Sequence, residues 1–162
     1  MSECRDMTIH PYSLRLFKRR RYLIGYSEYS QGVRIFMLDR AEAVSALDDT
    51  FQMPESFDSE SYFEDFYGVR RSEDAKQKVV IKVSSRIRDL IRTVPLHKSQ
   101  VEIETCKEYS LFEYYLRPNF DFKQEIISYL DSLEVMEPLS LRKEIGRTML
   151  DVYLKYREDI KR

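Results

Sequence analysis

Three short blocks decide the fold: His10-Pro11-Tyr12-Ser13-Leu14, then Arg21-Tyr22-Leu23-Ile24-Gly25-Tyr26, then Arg34-Ile35-Phe36-Met37-Leu38-Asp39-Arg40. Each is rich in β-branched and aromatic residues and bounded by turn or charge clusters, the pattern of strands joined by hairpins. Lys18-Arg19-Arg20-Arg21, four cations in a row, separates the first two blocks, and a polar loop from Ser27 to Gly32 separates the second from the third. The expected product is a small, strongly bent antiparallel sheet with cations at its tips. Ala41 to Leu47 is expected to add a further strand, although Ala and Glu favour helix locally.

The rest of the chain is read outward from that sheet. Asp58 is a candidate N-cap, and Phe57 and Tyr62 a candidate hydrophobic staple, for a short helix that Gly68 ends. Residues 71–78 are polar and aperiodic and mark a linker. Beyond them the order is strand Val79–Val83, helix Arg86–Thr93 capped by Ser85, strand Ser99–Thr105 and strand Tyr109–Leu116. A helix capped by Asp121 and strand Leu133–Met136 follow, a β-α-β-β-α-β succession of ferredoxin-like type. A terminal helix from Ser140 carries Leu141, Ile145, Met149, Val152, Tyr156 and Ile160 on one face.

Composition narrows the function classes. The chain has 162 residues, 43% hydrophobic and 34% charged, with two Cys, no Trp, twelve Tyr and nine Phe. No apolar run approaches the ~20 residues of a membrane span, and the N-terminus offers no signal sequence. Cys4 and Cys106 are isolated thiols without metal-type spacing, so a reducing, cytoplasmic setting is expected. The net charge of −1 hides segregation: residues 1–40 carry +4, residues 41–68 carry −8 and the remainder +3. A basic block beside an acidic one points to an anionic partner for the first, or to solvated faces that neutralise each other.

Catalytic chemistry has little to stand on. His10 and His97 lie far apart, without a nucleophile or a ligand cluster beside them, and four Gly cannot build a phosphate loop. The carboxylates Glu60, Glu64 and Asp65 lack a His or Cys partner and read as a solvated helix face. His97, after Pro95, reads as a turn residue. Arg is the residue for bidentate phosphate contacts, and Arg34 and Arg40 flank Phe36 and Leu38 on one face if the strand runs through. A structural Arg40–Asp39 pair is the competing reading, and Lys18, Arg19 and Arg20 read as a solvated hairpin tip.

The order Pro-aromatic-x-Leu, x-Tyr-Leu-x-Gly, Arg-x-Phe-x-Leu-Asp-Arg resembles the WYL domain of bacterial transcription regulators, with Arg21 in the place of the motif Trp. Pro95-Leu96-His97-Lys98-Ser99-Gln100 and Glu134-Val135-Met136-Glu137-Pro138 with Leu141-Arg142 resemble the extension that follows such domains. The resemblance implies an α+β chain: a small Sm/SH3-like bent β-barrel with closing helix over residues 1–70, lacking its first strand and any preceding helix-turn-helix. A ferredoxin-like domain over 79–162 with a C-terminal helix would follow. It implies a ligand-sensing regulatory module rather than an enzyme, with no cofactor and no metal. The ligand would be anionic, single-stranded nucleic acid or a nucleotide, held by His10, Tyr12, Arg21, Tyr22, Arg34 and Arg40. Duplex DNA recognition by this chain alone and membrane association are not expected; a homo-oligomer is. The alternative is an assembly module whose sheet surface is inert.

Overall fold

The computed structural model describes residues 6–160, with side chains through Arg157; Cys4 and the Ile160 side chain lie outside it. Contacts divide the chain into two compact units, one ending at Glu64 and one beginning at Asp65.

The first unit is built on three antiparallel strands in the order β1 (Ile9–Phe17), β2 (Arg20–Ser27) and β3 (Gly32–Met37). Only Lys18 and Arg19 join β1 to β2, with φ of 46° and 65°. Left-handed backbone at both positions is one of the two-residue connections that follow the strand twist. The second connection is longer: the Ser27 hydroxyl accepts the Ser30 N–H, and Gln31 takes φ 49°. Between Pro11 and Ser13 the β1–β2 register shifts, leaving Tyr12 as a bulge. Alternation then sorts the sheet into two faces. Tyr22, Ile24 and Tyr26 share one with their partners Arg15, Ser13 and His10; Leu23 and Gly25 share the other with Leu14, Pro11, Phe36 and Arg34.

The expected strand over 41–47 is absent. After Met37 the chain makes a 3-10 turn, Leu38–Arg40, and the Ala41 N–H bonds back to the Leu38 carbonyl. Residues 41–56 form no regular element, and Val44 is 83% exposed. Ala41-Glu42-Ala43 offers too little β-branched or aromatic surface to hold an edge strand. Among the described residues the first unit therefore has three strands and no closing fourth.

The chain next returns across the Ile24 face. Phe51 stacks on His10 with centroids 5.0 Å apart, Phe57 meets Tyr12 at 4.9 Å, and the Arg15 guanidinium lies 4.2 Å above the Phe63 ring. Helix α1 is a single turn, Ser59–Tyr62, and does not reach Gly68. Its start is as the sequence indicates: Asp58 accepts the Ser61 N–H at 2.8 Å, and Phe57 packs on Tyr62 at 5.6 Å. These hydrogen bonds hold the Asp58 carboxyl below its ordinary range.

The second unit contains β4 (Gln77–Ser84), α2 (Arg88–Thr93), β5 (Val101–Thr105), β6 (Tyr109–Leu116), α3 (Phe120–Ser128), β7 (Leu133–Glu137) and α4 (Leu139–Ile160). Its sheet runs β5-β6-β4-β7, antiparallel throughout. Val79, Ile81 and Val83 of β4 alternate onto the same face as Phe112, Tyr114 and Leu116 of β6, and with Ile91, Phe122 and Ile126 from the helices they form a fully buried core. His97 is buried in the turn after Pro95, its Nδ1 accepting the Ser99 N–H at 3.2 Å. Gln100 closes the same turn, accepting from the Leu96 N–H and donating to the Ile91 carbonyl. The overall class is α+β with antiparallel sheets and a C-terminal helix.

Two helix starts differ from expectation. Ser85 does not cap α2; its N–H goes to the Glu108 carbonyl, and Ile87 occupies the cap position. Asn119, not Asp121, caps α3, accepting the Phe122 N–H at 2.9 Å. Asp121 is instead buried in the first turn, where one oxygen accepts the N–H groups of both Val69 and Arg70 at 2.9 Å. The Asn119 amide donates to the carbonyls of Tyr67 and Arg70. Residues 67–70, read from the sequence as the tail of the first domain, are in this way tied into the second unit. The apolar face of α4 is used only at its start: Leu141 is buried and Ile145 packs on the core, whereas Tyr156 is 61% exposed.

Glu102 on β5 receives two parallel hydrogen bonds from Arg92 of α2, at 2.9 and 2.7 Å. They hold its carboxyl down to about 2. A carboxyl depressed on folding contributes stability above its ordinary range and loses it as pH falls toward the folded value. Stability should therefore decline between about pH 4.5 and about 2, and Glu102→Gln should flatten that part of the curve in acid melts.

Candidate functional site

The two faces of the three-stranded sheet have different fates. The Ile24 face is closed by residues 51–63. The opposite face carries Leu14 and Leu16, 68% and 72% exposed, half-buried Leu23 and Phe36, and the exposed cations Arg21 and Arg34. Register places these residues in rows: Leu14 beside Leu23 beside Phe36, Leu16 beside Arg21, and Arg34 beside Gly25. The Arg34 guanidinium donates to the Val33 carbonyl at 3.0 Å and passes over Gly32, where an added Cβ would lie 3.1 Å from its Nη1. An apolar row between two guanidinium groups suits a ligand with flat rings and negative charge: rings lie on Leu and Phe, and anionic oxygens take paired N–H donors.

Only two of the six residues expected at the site, Arg21 and Arg34, lie on this face. Tyr22, one step along β2 from Arg21, faces the other way, opposite Arg15 and Met37. His10 and Tyr12 belong to the aromatic packing under residues 51–63; His10 Nε2 also lies 3.1 Å from Glu28 Oε1, and its ring 5.5 Å from Tyr26. Arg40 is exposed at the end of the 3-10 turn, so it does not share a face with Phe36 by strand alternation. Its expected partner Asp39 is held by Arg20, 3.0 Å away, which also approaches Met37 Sδ at 3.2 Å. The apolar members of the open face, Leu14 and Leu16, were not among the expected site residues. Their signal was available: Leu14-x-Leu16 alternates out of phase with the buried side of the sheet.

Among the described residues, no three His, Cys, Asp or Glu side chains converge as a metal site would require. No described helix is long and apolar enough to cross a membrane.

The comparisons agree with the motifs. The WYL domain model matches residues 1–46, and the WCX domain model matches residues 75–153. Between them the two take in most of the chain, whose first part resembles a WYL domain and whose second part resembles a WCX domain. Among solved structures it is similar to a CRISPR Cas-related protein, with 14% identity and a TM-score of 0.56 over 98% of this chain and 46% of that one. It is also similar to proteasome accessory factor B/C (PafBC) of Arthrobacter aurescens, with 18% identity and a TM-score of 0.36 over 87% of this chain and 21% of that one. The chain thus spans less than half the length of either. No curated protein matches it.

Proposed function

We propose that this chain is the ligand-sensing, non-catalytic part of a cytoplasmic transcriptional regulator, and that it binds single-stranded nucleic acid or a nucleotide on the open face of the β1-β2-β3 sheet. The first unit is then an Sm/SH3-like barrel represented by three strands. The second is a ferredoxin-like domain, a reading supported by its β-α-β-β-α-β succession and its β5-β6-β4-β7 order. The observation that carries the functional reading is the uncovered pairing of Arg21 and Arg34 with Leu14, Leu16, Leu23 and Phe36 on one side of a sheet whose other side is packed against residues 51–63. Ligand occupancy would then be passed on through a homo-oligomer or an attached DNA-binding domain.

Titration with a labelled single-stranded oligonucleotide at several salt concentrations tests it. Binding should be saturable and weaken as salt rises. Arg34→Ala should weaken it by about 1–3 kcal/mol and remove roughly one phosphate contact from the salt slope. Arg34→Lys should recover part of the loss, since an ammonium cannot make the bidentate contact. An inert surface predicts no saturable binding and identical melts with and without the oligonucleotide.

A further inference from the structure

The first unit leaves one stretch of chain outside its packing. Residues 41–56 form no regular element, and structureless stretches of that length inside a compact unit are uncommon and usually functional. Both ends of the free part are tied down. The Ala41 N–H closes the 3-10 turn on the Leu38 carbonyl, and Phe51 stacks on His10 on the closed side of the sheet. Everything between is exposed, including Val44 at 83% and Leu47 at 58%. Glu42 precedes these two apolar residues and Asp48 and Asp49 follow them, so the order along the chain is acid, apolar, acid. No cation interrupts it: residues 41–68 carry −8 without a Lys or Arg. A segment of this composition cannot bury enough apolar surface to order by itself and does so on a partner.

A matching surface lies on the same unit. The open face of the sheet sets the row Leu14, Leu23 and Phe36 between Arg21 and Arg34, in the order cation, apolar, cation. We infer that this face receives the acidic segment 41–50 of a second copy of the chain. The exchange is reciprocal, one segment and one face from each copy, and closes as a two-fold dimer. The spacing agrees. Arg34 stands beside Gly25, four residues along β2 from Arg21, about 13 Å at ~3.3 Å per residue. Glu42 and Asp48 are six residues apart, a separation of about 9 Å as helix and about 20 Å extended. A segment between those limits meets both guanidinium groups with Val44 and Leu47 laid on the apolar row. Arginine takes a carboxylate through two parallel hydrogen bonds. The donor is a second copy because Phe51 holds each segment on the closed side of its own sheet, away from its own open face. Docking and ligand binding then exclude each other, a consequence that rests on the sensing role proposed above. The segment covers the face until the ligand displaces it, and the ligand signal becomes a change in assembly.

Charge exchange tests the interface on the full chain, with mass followed by sedimentation at rising protein and salt concentrations. Wild type should dimerise, less tightly as salt rises. A segment variant, Asp48→Arg with Asp49→Arg, and a face variant, Arg21→Glu with Arg34→Glu, should each lose about tenfold or more in dimer affinity, because like charges then meet. All four positions are exposed, so both variants should fold. An equimolar mixture of the two restores one contact with native signs and the other with signs reversed, and should dimerise within about threefold of wild type. Variants that dimerise like wild type, or a mixture that stays monomeric, would overturn the interface. Val44→Ser with Leu47→Ser alters no charge; it should also dimerise more weakly, and should bind a labelled oligothymidylate more tightly than wild type does where wild type is dimeric. A wild-type chain that stays monomeric yet binds the oligonucleotide removes the docking and leaves sensing standing. One that passes the charge exchange but binds no oligonucleotide removes sensing and leaves the interface. Oligonucleotide binding that leaves the wild-type dimer intact would overturn the displacement.

Discussion

Gly25→Ala should unfold the first unit or come close to it. An added Cβ would lie 2.5 Å from the His10 carbonyl oxygen and 2.8 Å from Ile9 Cγ2. The first of these is backbone on the paired strand, so relief requires β1 to move away from β2, breaking ladder hydrogen bonds around the Tyr12 bulge. The expected loss is about 3 kcal/mol or more, at the upper end of overpacking effects. The obstruction is steric and does not arise from an unusual φ at Gly25. Gly146→Ala is the matching control: its Cβ would meet nothing within 4 Å, and replacing Gly inside a helix should add roughly 0.5–1 kcal/mol. Thermal melts of the two variants should therefore move in opposite directions. A Gly25→Ala chain that melts with wild type would mean that β1 and β2 are not paired in this register.

The second large effect is expected at Asp121. Removing its carboxylate strands the N–H groups of Val69, which is buried, and Arg70, and it leaves the Arg70 guanidinium without the anion 3.6 Å away. Two orphaned backbone donors and a lost charge-assisted contact amount to about 2–4 kcal/mol for Asp121→Ala. Asp121→Asn keeps an accepting oxygen and should cost about half as much. The segment 65–72 should become sensitive to protease before the sheet is lost. Asp131, paired with Arg86 at 2.9 Å on the surface, provides the contrast; Asp131→Ala should change stability by less than about 1 kcal/mol. Equal melts for Asp121→Ala and Asp131→Ala would remove the tether.

Sequence legibility follows the range of the interaction that decides each feature. The three opening strands were readable because alternation and turn residues are local, and the Asp58 cap and its Phe57–Tyr62 staple were readable for the same reason. The cap of α3 was not. Asn119 and Asp121 are both good capping residues, and the choice turns on residues 67–70 coming back from some fifty positions upstream. Ala41–Leu47 failed because a strand exists only with a partner, and Ala41-Glu42-Ala43 carries too little β-branched or aromatic surface to hold one. The candidate site was half legible. Basic and aromatic residue types were recognised, but Arg21 and Tyr22 are neighbours on one strand and cannot share a face. The bulge at Tyr12, and the turn that takes Arg40 off the strand, then undid the rest of the grouping.

The two-sidedness of the β1-β2-β3 sheet has an evolutionary consequence. On the closed side the residues answer to one another: His10 to Phe51, Glu28 and Tyr26, Tyr12 to Phe51 and Phe57, and Arg15 to Phe63. Substitutions there must come in compensated sets. Leu14, Leu16, Arg21 and Arg34 stand on the exposed side, where single changes do little to stability. A lineage can therefore vary the open face one residue at a time while inheriting the scaffold unchanged, and descendants with one fold can come to present quite different surfaces.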